Sequence, residues 1–168
     1  IDNNDVLDYS LKTIRNNITY ITQNEMLYSD TIENNITLDR NISSDEFDNV
    51  CKMTYVNEIV QNNLLSYKMP IEENGANLSG GERQRIILAR ALLKPAKIVL
   101  IDEGLNQVDI DLENKILNNI FNYYQDKTFI IISHRKSNYN LYNEHYQWID
   151  GHLSSLDNKC WKGGQNGI

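Results

Sequence analysis

The stretch from Asn77 to Glu103, NLSGGERQRIILARALLKPAKIVLIDE, constrains the chain more than any other. Ser79 and Glu82 have the spacing of a capping box, in which the serine side chain caps a helix and the glutamate reaches back to the serine amide. A helix starting there carries Gly80 and Gly81 in its first turn, so its backbone N–H groups are left uncovered by side chains. Open amides at the positive end of a helix dipole make a phosphate site. Ile86, Ala89 and Leu93 recur at helical spacing and predict one buried face. Pro95 cannot continue the helix and biases Lys94 away from helical geometry. The run from Ile98 to Ile101 is unbroken and apolar, the pattern of a parallel strand covered on both faces. It delivers Asp102 and Glu103 to the carboxyl end of a sheet, where open α/β proteins bind their ligands.

The rest of the chain supplies further elements. Thr19 to Thr22 is β-branched and aromatic and predicts a strand ending at Gln23, whereas the first ten residues show no helix cap. A second capping box, Ser43 with Glu46, opens a predicted helix reaching roughly to Leu65, with Phe47, Val50, Cys51, Val56, Ile59, Val60 and Leu64 near helical spacing. Asp109 suits an N-cap, and Leu112, Ile116, Leu117, Ile120, Phe121 and Tyr124 line one face of the helix after it. Thr128 to Ser133 is a second buried-strand pattern and presents His134. Asp150-Gly151, between two short β-prone runs, predicts a hairpin with a type I′ turn, and the Gly-rich tail after Cys160 reads as disordered. By themselves Gln23 and His134 read as ordinary loop residues.

Composition excludes some functions. A net charge of −7 argues against general nucleic-acid binding, which needs clustered Lys and Arg. Cys51 and Cys160 have no metal-ligand spacing and are compatible with a reducing compartment. No apolar run approaches the roughly 20 residues that span a bilayer, and no signal-peptide pattern stands at Ile1. Any membrane role therefore needs another segment or subunit.

LSGGERQR followed by IVLIDE resembles the signature and Walker B motifs of ATP-binding cassette (ABC) ATPases, in the family's order and joined by a helix of suitable length. The segment SLKTIRNNITYITQNEMLYSDTIENNI resembles the exporter-type Q-loop region, Glu73-Asn74-Gly75 the segment exporters place against the membrane domain, and IIISHR the H-loop. The D-loop position reads GLNQVD, where the family commonly has Ala-Thr-Ser-Ala-Leu-Asp; only Asp109 and the hydrophobe before it are kept. The resemblance implies a P-loop NTPase-type α/β cassette, with a mostly parallel sheet, an α-helical subdomain and a C-terminal β-hairpin. It divides the chain into a Q-loop region (1–40), a helical subdomain with the signature helix (41–95), a Walker B, D-loop, H-loop and hairpin region (96–156) and a tail (157–168).

It also implies roles. ATP and Mg2+ are the expected ligands, with Asp102 and Gln23 toward the metal. Glu103, Gln23 and His134 are the expected catalytic residues. Ser79, Gly80, Gly81, Glu82 and Asp109 are the expected nucleotide-binding residues, the first three facing the nucleotide of a second cassette paired head to tail. The expected setting is the cytoplasmic face of a bacterial membrane, beside a transmembrane domain, with no nucleic acid as partner. The phosphate-cradling G-x-x-x-x-G-K-[S/T] loop is absent from the sequence. The resemblance places that loop before Ile1-Asp2, which matches the strand after it. It implies an incomplete cassette, inactive alone, whose missing strand leaves an open sheet edge. An exporter of peptides (bacteriocins among them), lipids or drugs is the leading expectation. The alternatives are a soluble ABC ATPase of DNA repair or translation, and a binding-only regulatory cassette.

Overall fold

Three parallel strands frame the larger part of the molecule: β1 (Ile18–Ile21), β2 (Ile98–Asp102) and β3 (Thr128–Ile132), in the order β1-β2-β3. The structure, a computed structural model, describes residues 1–61, 63–135 and 138–156. The predicted disordered tail lies outside them. Two compact units are present, Ile1–His134 and Arg135–Ile168.

In the first unit Ile18 stands opposite Ile98, and Ile98 opposite Thr128, so Tyr20, Leu100 and Ile130 share one face and Ile21, Ile101 and Ile131 the other. Helices α1 (Leu11–Asn17), α2 (Ile32–Thr37), α3 (Ser44–Met53), α4 (Val56–Val60), α5 (Gly80–Leu92) and α6 (Ile110–Tyr123) complete it. Their starts follow side-chain chemistry. Ser10, Thr31, Ser43, Ser79 and Asp109 each accept a first-turn N–H, removing an otherwise unpaired donor.

Several expectations need correction. The first ten residues do hold a cap, because Ser10 starts α1, and Ile1-Asp2 forms a turn and not a strand. The helix expected from Ser43 to Leu65 breaks after Met53: Thr54 Oγ1 donates back to the Val50 carbonyl, and Tyr55 turns to a left-handed φ of 58°. That turn aims the Tyr55 carbonyl at Arg85, whose Nη1 donates to it at 2.8 Å. Helix α4 ends at Val60, and Leu64, counted as apolar spacing, is fully exposed. Helix α5 is buried all round from Gln84 to Leu92 rather than on one face, since α2, α3, α4 and β1 all pack against it.

The strands are not covered on both faces. Val99 and Ile101 are buried, but Tyr20, Ile130 and Ile132 on the opposite face are 53, 51 and 55% exposed. An open apolar sheet face beside β3, an edge strand among the described residues, invites pairing with another chain. The 168-residue chain studied by itself is expected to self-associate in sedimentation velocity, and a single monomeric boundary across a wide concentration range would count against this.

The second unit holds an antiparallel hairpin of β4 (Tyr146–Ile149) and β5 (His152–Ser155). Asp150 and Gly151 both take positive φ, 48° and 81°, as a type I′ turn requires.

Candidate functional site

The carboxyl end of β2 carries a cluster of polar side chains around Asp102 and Glu103. Glu103 leaves the strand in a left-handed conformation, φ 51°, and its N–H donates to the Ile132 carbonyl at 3.0 Å. A non-glycine residue held there is strained, and such strain concentrates at functional sites. Gly104 follows because a β-carbon at that position would lie 2.9 Å from an Ile101 methyl and 3.0 Å from an Ile21 methyl.

Two side chains expected to be catalytic converge on the Glu103 carboxylate. Gln23 Nε2 donates to Oε2 at 2.9 Å, and His134 Nε2 meets Oε1 at 2.8 Å. Asn106 Nδ2 adds a longer contact to Oε2, 3.4 Å. The ends of β1, β2 and β3 thus deliver Gln23, Glu103 and His134 to one point. Asp102 lies beside them, with Oδ2 accepting the Tyr20 hydroxyl at 3.0 Å. That hydrogen bond, then desolvation and the charge of the same carboxylate, holds the Tyr20 hydroxyl above its ordinary value.

Among the described residues no three His, Cys, Asp or Glu groups form a metal-binding cluster. Mg2+ does not need one, because it keeps several waters and uses one or two carboxylates plus substrate phosphates. Asp102, an oxygen donor at a strand end, with Gln23 held on the neighbouring Glu103, fits that sparse set.

The remaining expected residues gather elsewhere in the same unit. Ser79, Gly80, Gly81, Glu82 and Asp109 line a cleft of about 320 Å3 with Arg85, Gln107, Val108 and Leu112. The capping box is complete: Glu82 N–H donates to Ser79 Oγ at 3.3 Å, and Glu82 Oε2 accepts from the Ser79 N–H and Oγ, both at 2.7 Å. Burial raises the Glu82 carboxyl, but the Ser79 hydrogen bonds and the Arg85 charge outweigh it, and the net shift is downward from 4.5. The folded carboxyl is depressed, so the box stabilises above its ordinary value and fades as pH falls through the folded one. Ser79→Ala is expected to cost about 1 kcal/mol in urea denaturation near neutral pH, and less in acid.

The glycines are not wholly open, as the sequence suggested. A β-carbon on Gly80 would overlap the Gln107 carboxamide, and one on Gly81 would lie 3.0 Å from the Gln107 carbonyl. The loop after Glu103 fills that side, and its Gln107 and Val108 also line the cleft.

A family model for ABC transporters matches residues 1–106. The chain belongs to the ABC transporter family. Among its relatives, the ATP-dependent lipid A-core flippase of Pectobacterium atrosepticum is 37% identical over 139 residues, covering 82% of this chain and 24% of the relative. The flippase of Pseudoalteromonas translucida is 39% identical over 132 residues, covering 77% and 23%. A solved bacterial Atm1-family ABC exporter with ATP bound superimposes with a TM-score of 0.75 at 31% identity, over 81% of this chain and 24% of that one. This ABC chain thus spans about a quarter of the length of the curated relatives it matches.

Tyr20, Gln84 and Asn106 were not anticipated as site residues in this ABC cassette. Tyr20 becomes a partner of Asp102 only once β1 and β2 are in register. Gln84 carried one usable sign, a polar residue inside a helix otherwise headed for burial.

Proposed function

We propose that this chain is part of the ATP-binding and ATP-hydrolysing domain of an exporter that couples hydrolysis to moving a substrate across a membrane. The observation that carries this reading is the convergence of Gln23 and His134 on the two oxygens of Glu103, at 2.9 and 2.8 Å. In this reading Glu103 is the general base that takes a proton from the attacking water. Gln23 orients that water and His134 contacts the γ-phosphate. Asp102 holds Mg2+ with Gln23 nearby; when bound, Mg2+ neutralises charge developing on the transferred phosphoryl group. Ser79, Gly80 and Gly81 meet the γ-phosphate of an ATP on a second cassette paired head to tail. Glu82 keeps Ser79 oriented, and Asp109 lines the same cleft.

The exporter class is favoured over a soluble repair or translation ATPase by the flippase relatives and the Atm1-family neighbour. Those names also favour a lipid over a peptide or drug as cargo. The cassette sits at the cytoplasmic face, with Glu73 toward the transmembrane domain; no helix among the described residues is long and apolar enough to cross a membrane. Magnesium-dependent phosphate release by the intact protein, compared with Glu103→Gln, is the test, and unchanged turnover in the variant removes the assignment.

A further inference from the structure

One side chain ties helix α5 to the loop after Glu103. Gln84 is 8% exposed; its Nε2 donates to Asn106 Oδ1 at 2.6 Å, and its Oε1 accepts the Gln107 N–H at 2.8 Å. A backbone N–H can only donate, so the end of Gln84 that meets it is the carbonyl oxygen. The amide nitrogen of Gln84 then faces Asn106, which must answer with its own oxygen. Asn106 Nδ2 is left to point onward, and it lies 3.4 Å from Glu103 Oε2. A carboxamide's oxygen and nitrogen are ordinarily exchangeable by a flip. Here the Gln107 N–H fixes the orientation of Gln84, and Gln84 in turn favours one orientation of Asn106.

We infer that Gln84 and Asn106 are positioning residues forming a directional hydrogen-bond relay that holds an N–H donor against the Glu103 carboxylate. The inference rests on Glu103 being the base of ATP hydrolysis, as proposed above. Glu103 has left the strand in a left-handed conformation, so strand pairing does not fix its side chain. Gln23, His134 and Asn106 fix it instead. The relay starts on the helix whose first turn lines the cleft, so it links that cleft mechanically to the carboxylate. The side chain at 106 decides whether the link exists. This chain has asparagine there, within the GLNQVD stretch that departs from the common pattern.

Gln84→Glu tests direction. The new carboxylate still accepts the Gln107 N–H, so the loop stays anchored. Its other oxygen faces Asn106 Oδ1, which forces Asn106 to flip and turn an oxygen toward Glu103. In the intact protein at saturating MgATP, kcat is expected to fall roughly tenfold or more, with KM for ATP unchanged. In an Asn106→Ala background the same substitution is expected to leave kcat where Asn106→Ala alone puts it, because nothing transmits the flip. Asn106 is exposed, so that background keeps the fold. Equal losses in both backgrounds would mean that Gln84 only anchors the loop, and would overturn the relay; so would full activity of Gln84→Glu alone. Glu103→Gln belongs in the same series. If it retains turnover, the assignment of the base fails and takes the relay with it. If it abolishes turnover while the Gln84 and Asn106 effects simply add, the relay alone fails.

Discussion

Glu103→Gln in the intact protein is expected to lower steady-state ATP turnover by about 10² to 10⁴-fold, the usual contribution of a positioned general base. The substitution keeps the side chain's shape and removes its basicity. It also removes one acceptor. His134 and Gln23 donate to different oxygens of the carboxylate, and a carboxamide offers only one. Both contacts survive only if one partner changes role, His134 accepting through Nε2 in its Nδ1–H tautomer or Gln23 flipping its carboxamide to accept from the new NH2 group. ATP affinity and ATP-driven pairing of cassettes are expected to persist, because neither requires proton abstraction. Single-turnover phosphate release separates the chemical step from binding, and size-exclusion chromatography with ATP reports pairing. Turnover within a few-fold of wild type would sink the assignment of Glu103; lost pairing with lost turnover would make the residue structural.

Much of this site was legible where local chemistry decides geometry. The Ser79–Glu82 box, the Asp109 cap and the Asp150-Gly151 turn depend on residues within four positions of one another, and each forms as read. The three strands that lead to Gln23, Asp102-Glu103 and His134 were also readable, because apolar runs stop where polar residues begin. What failed depends on partners far along the chain. The break at Tyr55 leaves a carbonyl that Arg85, thirty residues on, takes up with its guanidinium. Apolar periodicity across Val56 to Leu64 cannot register that contact. Strand burial misled for a different reason: an apolar run shows that a face is fit for covering, and Ile130 and Ile132 are left open all the same. The Gln84–Asn106 contact needed the loop in place before either amide had a direction.

Arg90→Met is expected to be the most destabilising of the substitutions considered, because Arg90 stitches the segment after Gln23 to helix α5. It is 8% exposed, with Nε donating to the Asn35 carbonyl at 2.7 Å, Nη1 to the Met26 carbonyl at 2.9 Å and Nη2 to Asn35 Oδ1 at 2.9 Å. The guanidinium also lies 5.3 Å from the centroid of the Tyr28 ring. Desolvation pulls its pKa down, partly offset by the charge of Glu25, but an arginine stays protonated at any working pH. Methionine retains the packing of the stem and deletes all three donors. Asn35 Oδ1 keeps the Tyr28 N–H, whereas the bonds to the Met26 and Asn35 carbonyls are lost with the guanidinium. At about 1–3 kcal/mol for the buried Asn35 carbonyl left unpaired and less for the part-buried Met26 carbonyl, and allowing for relief of a buried charge, the net cost is roughly 2 kcal/mol. Arg90→Lys should recover less than half of it, because one ammonium cannot span three acceptors laid out for a planar fork. Urea unfolding gives the stability, and hydrogen exchange should show faster opening from residue 24 to residue 36 than in α6. Gln23 stands three residues before Met26, so turnover should fall even with Glu103 intact. A stability change within about 0.5 kcal/mol, the range of an ordinary surface substitution, would show that the segment holds without its arginine.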